Sequence, residues 1–253
     1  MMLLRLLDLV SPASVLQSLA SQCAVCRSWP ARRVCAACTA RFGQMQARCI
    51  SCALTLPADL SGGRGPPSLR CAACVRQPPP LDTCFAAMPY AYPWSELVAR
   101  YKFGGDPAWA GVFAGLLLDV PGVRARLLSL QAGDWLIPLP LSAQRLQSRG
   151  FNQAWELVKA LARQSGTAAV ADAGLLLRIR DTAPQARLGR AARLRNLKGA
   201  FAADPLRVGE IRGRSVLLVD DVMTSGASLF TAAEALREAG ASAVSAVVFA
   251  RTE

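Results

Sequence analysis

The chain has 253 residues, 53% of them hydrophobic and 18% charged, which calls for a packed core and excludes global disorder. Histidine is absent, so every mechanism that needs an imidazole base and every His-containing metal site is excluded. Lys and Arg number 29 against 17 Asp and Glu, and only Lys102, Lys159 and Lys198 are lysines. The excess charge is therefore guanidinium, suited to bidentate capture of phosphates, although charge alone names no partner.

The N-terminal MMLLRLLDLV is apolar but interrupted by Asp8, with no small-residue cleavage site after it. It reads as a short amphipathic helix and not a signal peptide. The richest apolar stretch, around Leu116–Leu118, is cut by Asp119 and Pro121, too short for a membrane span. A cytoplasmic protein with no membrane insertion is expected.

Eight of the nine cysteines form four pairs of one spacing: Cys23/Cys26, Cys35/Cys38, Cys49/Cys52 and Cys71/Cys74. Two residues between ligands let both sulfurs of a knuckle reach one tetrahedral ion, so four knuckles offer two structural Zn²⁺ sites. A cytoplasmic chain disfavours disulfides, and a redox pair would stand singly beside a βαβ pattern. Pairing in sequence order needs the least loop closure, but spacing leaves a cross-braced arrangement open. Cys84, between Thr83 and Phe85 in a strand-like run, reads as a buried thiol. The runs Ser61–Pro67 (SGGRGPP) and Pro78–Pro80 look like hinge material, the second marking a boundary between residues 1–80 and 81–253.

From Leu81 onward strands and helices alternate, pointing to an α/β domain. Strands are predicted at Phe85–Tyr92, Trp135–Leu139, Ser215–Val219 and Ala243–Ala250. Helices are predicted at Trp94–Phe103, Ala108–Leu118, Asn152–Gln164 and Ser228–Ala239. Val216–Leu229 (VLLVDDVMTSGASL) is the informative segment. An apolar strand ends in Asp220 and Asp221, and the loop Thr224–Ser228 opens a helix. Ligands bind at the carboxyl ends of strands in such sheets. Loop amides and the helix N-terminus cradle an anion, and Gly226 lets the backbone approach it. Paired carboxylates upstream suit the two hydroxyls of a ribose, so a ribose 5-phosphate satisfies both halves. An acidic pair could instead coordinate Mg²⁺. No GxxxxGK[ST] occurs, which leaves a P-loop NTPase without support.

VDDVMTSGAS resembles the 5-phosphoribosyl-1-pyrophosphate (PRPP) motif of type I phosphoribosyltransferases. The whole chain resembles the ComF family, in which that domain follows a cysteine-rich zinc module. Pro138–Gln153 (PLPLSAQRLQSRGFNQ), Arg178–Phe201 (RIRDTAPQARLGRAARLRNLKGAF) and Tyr101–Asp106 (YKFGGD) agree in order and spacing. The resemblance implies an α/β type I phosphoribosyltransferase fold, Rossmann-like with a mostly parallel sheet, preceded by a small zinc-ribbon module.

It further implies that Asp220 and Asp221 hold the ribose 2′- and 3′-hydroxyls and that Thr224, Ser225, Gly226, Ala227 and Ser228 bind the 5-phosphate. Arg145, Arg149 and Gly150 fall at the pyrophosphate loop; Phe151, Asn152 and Gln153 start the next helix and position that loop. Lys102 matches a ligand-contacting position. Gln185, Arg190, Arg193, Arg195 and Asn196 match the family's hood, where seven Lys and Arg face one acid between Arg178 and Lys198. The pattern is broken at Ser142, where relatives often carry histidine, and at Ala192, where an acid is common.

Three functions follow from the resemblance. One is substitution at ribose C1 of Mg²⁺–PRPP, with Asp220, Asp221 and Arg149 as the catalytic set and no histidine base needed. The second is a competence factor in which arginine-rich surfaces contact single-stranded DNA. Only Trp29 and Phe42 are aromatic in residues 1–80, so no stacking platform is expected there. The third is an adaptor docking a helicase or other uptake machinery through the zinc ribbons.

Overall fold

In the computed structural model residues 21–57, 69–180 and 199–253 are described. The N-terminal helix, the SGGRGPP loop and the hood positions Gln185, Arg190, Arg193, Arg195 and Asn196 lie outside them. The chain divides into two compact units, one ending at Gln44 and the other running from Met45 to Glu253.

Both cysteine sets are built on one local plan. Each opens on a knuckle whose next residue has a positive φ, Arg27 at 66° and Ala53 at 54°, with its amide bonded back to Cys23 O and Cys49 O. Short antiparallel bridges flank the knuckles, Ser21 with Ala31 and Arg48 with Thr55. The second CxxC of each set sits at a helix start. Cys35 and Cys71 are the N-caps of α1 (Ala36–Phe42) and α2 (Ala72–Arg76), in extended conformation. An N-cap and the third helical residue face the same way, which is why the spacing is CxxC.

The larger unit adds β1 (Cys84–Pro89), α3 (Trp94–Phe103), α4 (Trp109–Leu118), α5 (Val123–Leu128), β2 (Trp135–Pro138), α6 (Ala143–Arg149), α7 (Gln153–Ser165), β3 (Val170–Ala171), β4 (Leu176–Arg178), β5 (Phe201–Ala203), β6 (Ser215–Met223), α8 (Ala227–Glu238) and β7 (Ala243–Arg251). Five strands form a sheet in the order β1-β7-β6-β2-β3, every pair parallel. β4 and β5 make a separate antiparallel hairpin. A parallel sheet is covered on both faces, and alternation along the strands assigns each face its partners. Ile137, Val216, Leu218, Val244, Ala246 and Val248 join a core with α8 residues, Leu81, Cys49, Cys52 and Cys74. On the other face Phe249 stacks on Phe113 of α4 at 3.9 Å and meets Trp94 edge-on at 5.9 Å. The second cysteine set thus shares the hydrophobic core of the sheet, and Pro78–Pro80 lies inside the larger unit.

The sequence-based elements need two main corrections. Asp220 and Asp221 do not follow β6 but lie within it, because the β6–β7 ladder continues past them to Met223 opposite Arg251. The Arg145–Arg149 stretch is not a loop but the helix α6, capped by Ser142, whose hydroxyl accepts from the Arg145 amide at 3.3 Å. Among the described residues no helix is long and apolar enough to cross a membrane.

Candidate functional site

β2 is followed by β3 on one side of it, whereas β6 is followed by β7 on the other. The chain changes direction between β2 and β6, so the crevice beyond their carboxyl ends is the topological switch point at which such sheets bind ligands. The segments opening there are 139–152 after β2, which contains α6, and 224–226 after β6.

After Met223 the chain turns through Thr224 and Ser225 to Gly226, the N-cap of α8, at φ 81°. Glycine is required twice over. That φ is strained for an L side chain, and a Cβ there would run into Met223 Cε and lie 2.7 Å from Phe230 Cζ. Ala227 and Ser228 are already the first two residues of the helix, whose leading amides have no acceptor within it. Asp220, Thr224, Ser225, Gly226 and Ser228 line a hollow of about 30 Å³ at this turn. The turn thus brings main-chain amides, three hydroxyl residues and a helix N-terminus together around one small space, as an anion site requires. A larger cavity of about 490 Å³ between α8 and β5 is lined by Arg180, Phe201 and Thr231 together with Glu234 and Glu238, a lining of mixed charge.

The two acids part company. Successive strand residues project to opposite faces: Asp220 lines the hollow, whereas Asp221 is buried and its Oδ2 lies 3.1 Å from Lys102 Nζ. Burial, reinforced by the Asp221 charge and opposed by Lys102, pushes the Asp220 carboxyl far above the usual carboxylate range, to about 8. The same burial makes neutral Tyr101 harder to ionise, with Asp221 adding to it.

Sequence reasoning gave Tyr101 no role, and Gln153 only that of starting a helix. Tyr101 is fully buried and donates to Gln153 O at 2.6 Å. Gln153 Oε1 accepts from Arg149 Nη1 at 2.8 Å, so α3 and α6 meet α7 at one residue, through its main-chain carbonyl and its side chain respectively. Gln153 Nε2 and Asp221 Oδ2 are buried polar atoms without an aligned hydrogen-bond partner among the described residues. Desolvation lowers the Arg149 guanidinium pKa while Asp221 and Asp220 raise it, which ties α6 electrostatically to the acid pair. Arg149 also lies over the Phe103 ring at 5.1 Å. Arg145 is exposed on the same helix, and Gly150 caps it at φ 76°.

The cysteine pairing left open by spacing is in sequence order: Cys23, Cys26, Cys35 and Cys38 form one group, and Cys49, Cys52, Cys71 and Cys74 the other. Tetrahedral thiolates about 2.3 Å from a zinc ion stand roughly 3.8 Å from one another. The sulfurs of Cys23 and Cys38 are 3.9 Å apart, those of Cys26 and Cys35 3.7 Å, and those of Cys52 and Cys71 3.7 Å. Amides of Cys35 and Cys38 donate to Cys23 and Cys35 sulfurs, as suits thiolates. Each group fits a tetrahedral ion of zinc's size. Cys84 is separate, and burial pushes its thiol up to about 12.

Residues 168–253 match the phosphoribosyl transferase domain family. Over 219 residues the chain is 33% identical to the DNA utilization protein YhgH of Salmonella typhi, covering 87% of this chain and 90% of that protein. It is 32% identical to competence protein F of Haemophilus influenzae over 67% of this chain and 73% of that one. Against competence protein ComFC of Streptococcus pneumoniae the identity is 29%, over 62% of each.

Proposed function

This chain belongs to the ComF family, that of YhgH and competence protein F, and we propose that it binds Mg²⁺–PRPP at the β6–α8 turn and transfers the phosphoribosyl group to an acceptor during uptake or handling of transforming DNA. The observation that carries this reading is the Gly226 turn with Asp220 on its rim, at the switch point of a parallel sheet.

In this reading the first amides of α8 and the hydroxyls of Thr224, Ser225 and Ser228 donate to the 5-phosphate. Asp220 accepts from a ribose hydroxyl. Asp221 fixes Lys102 beside the site. Arg149, held by Gln153, and Arg145 face the pyrophosphate, which departs with the C1–O electron pair as the acceptor bonds to C1. Bound Mg²⁺ supplies charge neutralisation of the pyrophosphate. Two structural Zn²⁺ ions occupy the Cys₄ groups.

A second reading, single-stranded DNA binding without turnover, is favoured by Phe103. Its side chain is 73% exposed beneath Arg149, an aromatic-and-arginine pair of the kind on which bases stack. Calorimetric titration of Mg²⁺–PRPP into the zinc-loaded protein tests the first reading. Binding lost on Asp220→Asn supports it, whereas no heat and no thermal stabilisation of the wild type overturns it and leaves DNA binding as the function to assay.

A further inference from the structure

Carbonyl oxygens of Cys52, Met223 and Thr224 converge on one guanidinium. Arg251, the last residue of β7, is 5% exposed. Its Nε donates to Cys52 O at 3.0 Å, and its Nη1 donates to Met223 O at 3.4 Å and to Thr224 O. The β6–β7 register places it directly opposite Met223. Arginine does not give up its proton, so burial here requires these acceptors to be held in place. Cys52 is a member of the second Cys₄ group, while Met223 and Thr224 open the ligand turn. Two further ties run in parallel. Cys84 Sγ contacts Met223 Sδ at 3.8 Å while its amide donates to Ile50 O at 2.7 Å. Glu253 accepts from the Thr55 hydroxyl at 2.7 Å and pairs with Arg48 at 3.4 Å.

We infer that Arg251 is a positioning residue through which the second Cys₄ centre orders the ligand turn. A metal ion on Cys49, Cys52, Cys71 and Cys74 fixes the Cys52 carbonyl. Arg251, anchored there, holds the Met223 and Thr224 carbonyls toward itself, and the amides that follow are left facing the hollow. The acceptors of Arg251 are backbone carbonyls and the Thr252 hydroxyl, so its charge also adds positive potential behind that turn. On the reading of the turn as a PRPP site, linkage requires reciprocity: metal at the second centre tightens PRPP, and PRPP tightens that metal by the same factor. The first Cys₄ group belongs to the other compact unit and serves as the internal control.

The test uses the full zinc-loaded chain, Arg251→Met and Arg251→Lys, with three readouts: hydrogen exchange of the 230–233 amides, whose acceptors are the carbonyls of Gly226 and the first helical residues, calorimetry with Mg²⁺–PRPP, and zinc release to a metallochromic chelator. Arg251→Met should lose about tenfold in protection of 230–233 and about tenfold in PRPP affinity, and release one of its two zinc ions faster; Arg251→Lys should fall between. PRPP should slow release of that one ion from the wild type, and the slowing should vanish in Arg251→Met. A merely structural arginine would not produce that last result. Unchanged protection and unchanged release in a folded Arg251→Met or Arg251→Lys overturns the inference. Wild-type protein that binds no PRPP overturns the ligand reading alone, because protection of 230–233 still reports the brace.

Discussion

Lys102 Nζ lies 3.1 Å from Asp221 Oδ2, with the two side chains 17% and 9% exposed. The lysine lies in the last turn of α3 and the acid near the end of β6, so a single ion pair ties that helix to the strand. Removing one partner of a buried pair leaves the other charge uncompensated, at a cost of about 3 kcal/mol. Lys102→Met should therefore lower the urea midpoint clearly, and adding Asp221→Asn should recover most of the loss. Equal stability of Lys102→Met and wild type would remove the pair from any account of the fold.

Asp220 makes stability depend on pH. Its folded pKa, about 8, stands above the value of an unfolded aspartate, so between those limits the folded state holds a proton that the unfolded state has lost. Stability attributable to Asp220 is thus present at acid pH and declines as pH rises from about 4 to about 8. Asp220→Asn should flatten this slope and raise the melting temperature more at pH 9 than at pH 5. Ionised Asp220 is the form that accepts from a ribose hydroxyl, so PRPP affinity should increase over the same interval. A melting temperature of the wild type that rises from pH 5 to pH 8 as steeply as in Asp220→Asn would contradict this.

Gly226 and Gly150 share a left-handed backbone but not their surroundings. A Cβ at Gly150 meets nothing within 4 Å, whereas at Gly226 it collides with Met223 and Phe230. Gly150→Ala should cost about 1 kcal/mol, the conformational term alone. Gly226→Ala adds overpacking and should cost about 3 kcal/mol together with PRPP binding. Chemical denaturation of the two variants side by side separates the terms.

Where the candidate site was legible in the sequence, its residues were neighbours in the chain. The CxxC pairs and the VDDVMTSGAS run each lie within a few positions. What was not legible depends on long-range partners. The acids looked like a strand end because they interrupt an apolar run, yet pairing with β7 carries β6 on to Met223. α6 escaped notice because it buries no residue and so shows no apolar stripe. Tyr101 meets Gln153 52 positions away, and Arg251 meets Cys52 199 positions away. The FNQ tripeptide after Gly150 was the available signal for Gln153; nothing local marks Arg251 as more than a terminal cation.

The two cysteine groups share one local plan but not one role in stability. The first lies in a unit of its own, while Cys49, Cys52 and Cys74 belong to the core beneath the sheet. Metal binding there is folding energy for the larger unit, and its loss uncovers Leu56, Leu81 and the edge of the α8 core. Cys26→Ser should reduce metal content from two ions to one and leave the main thermal transition in place. Cys52→Ser should remove one ion and also lower that transition by many degrees, since a ~3 kcal/mol loss is a large share of a domain's stability. Metal analysis and calorimetry on the two variants check this, and equal melting temperatures would mean that the second centre contributes nothing to the sheet it touches.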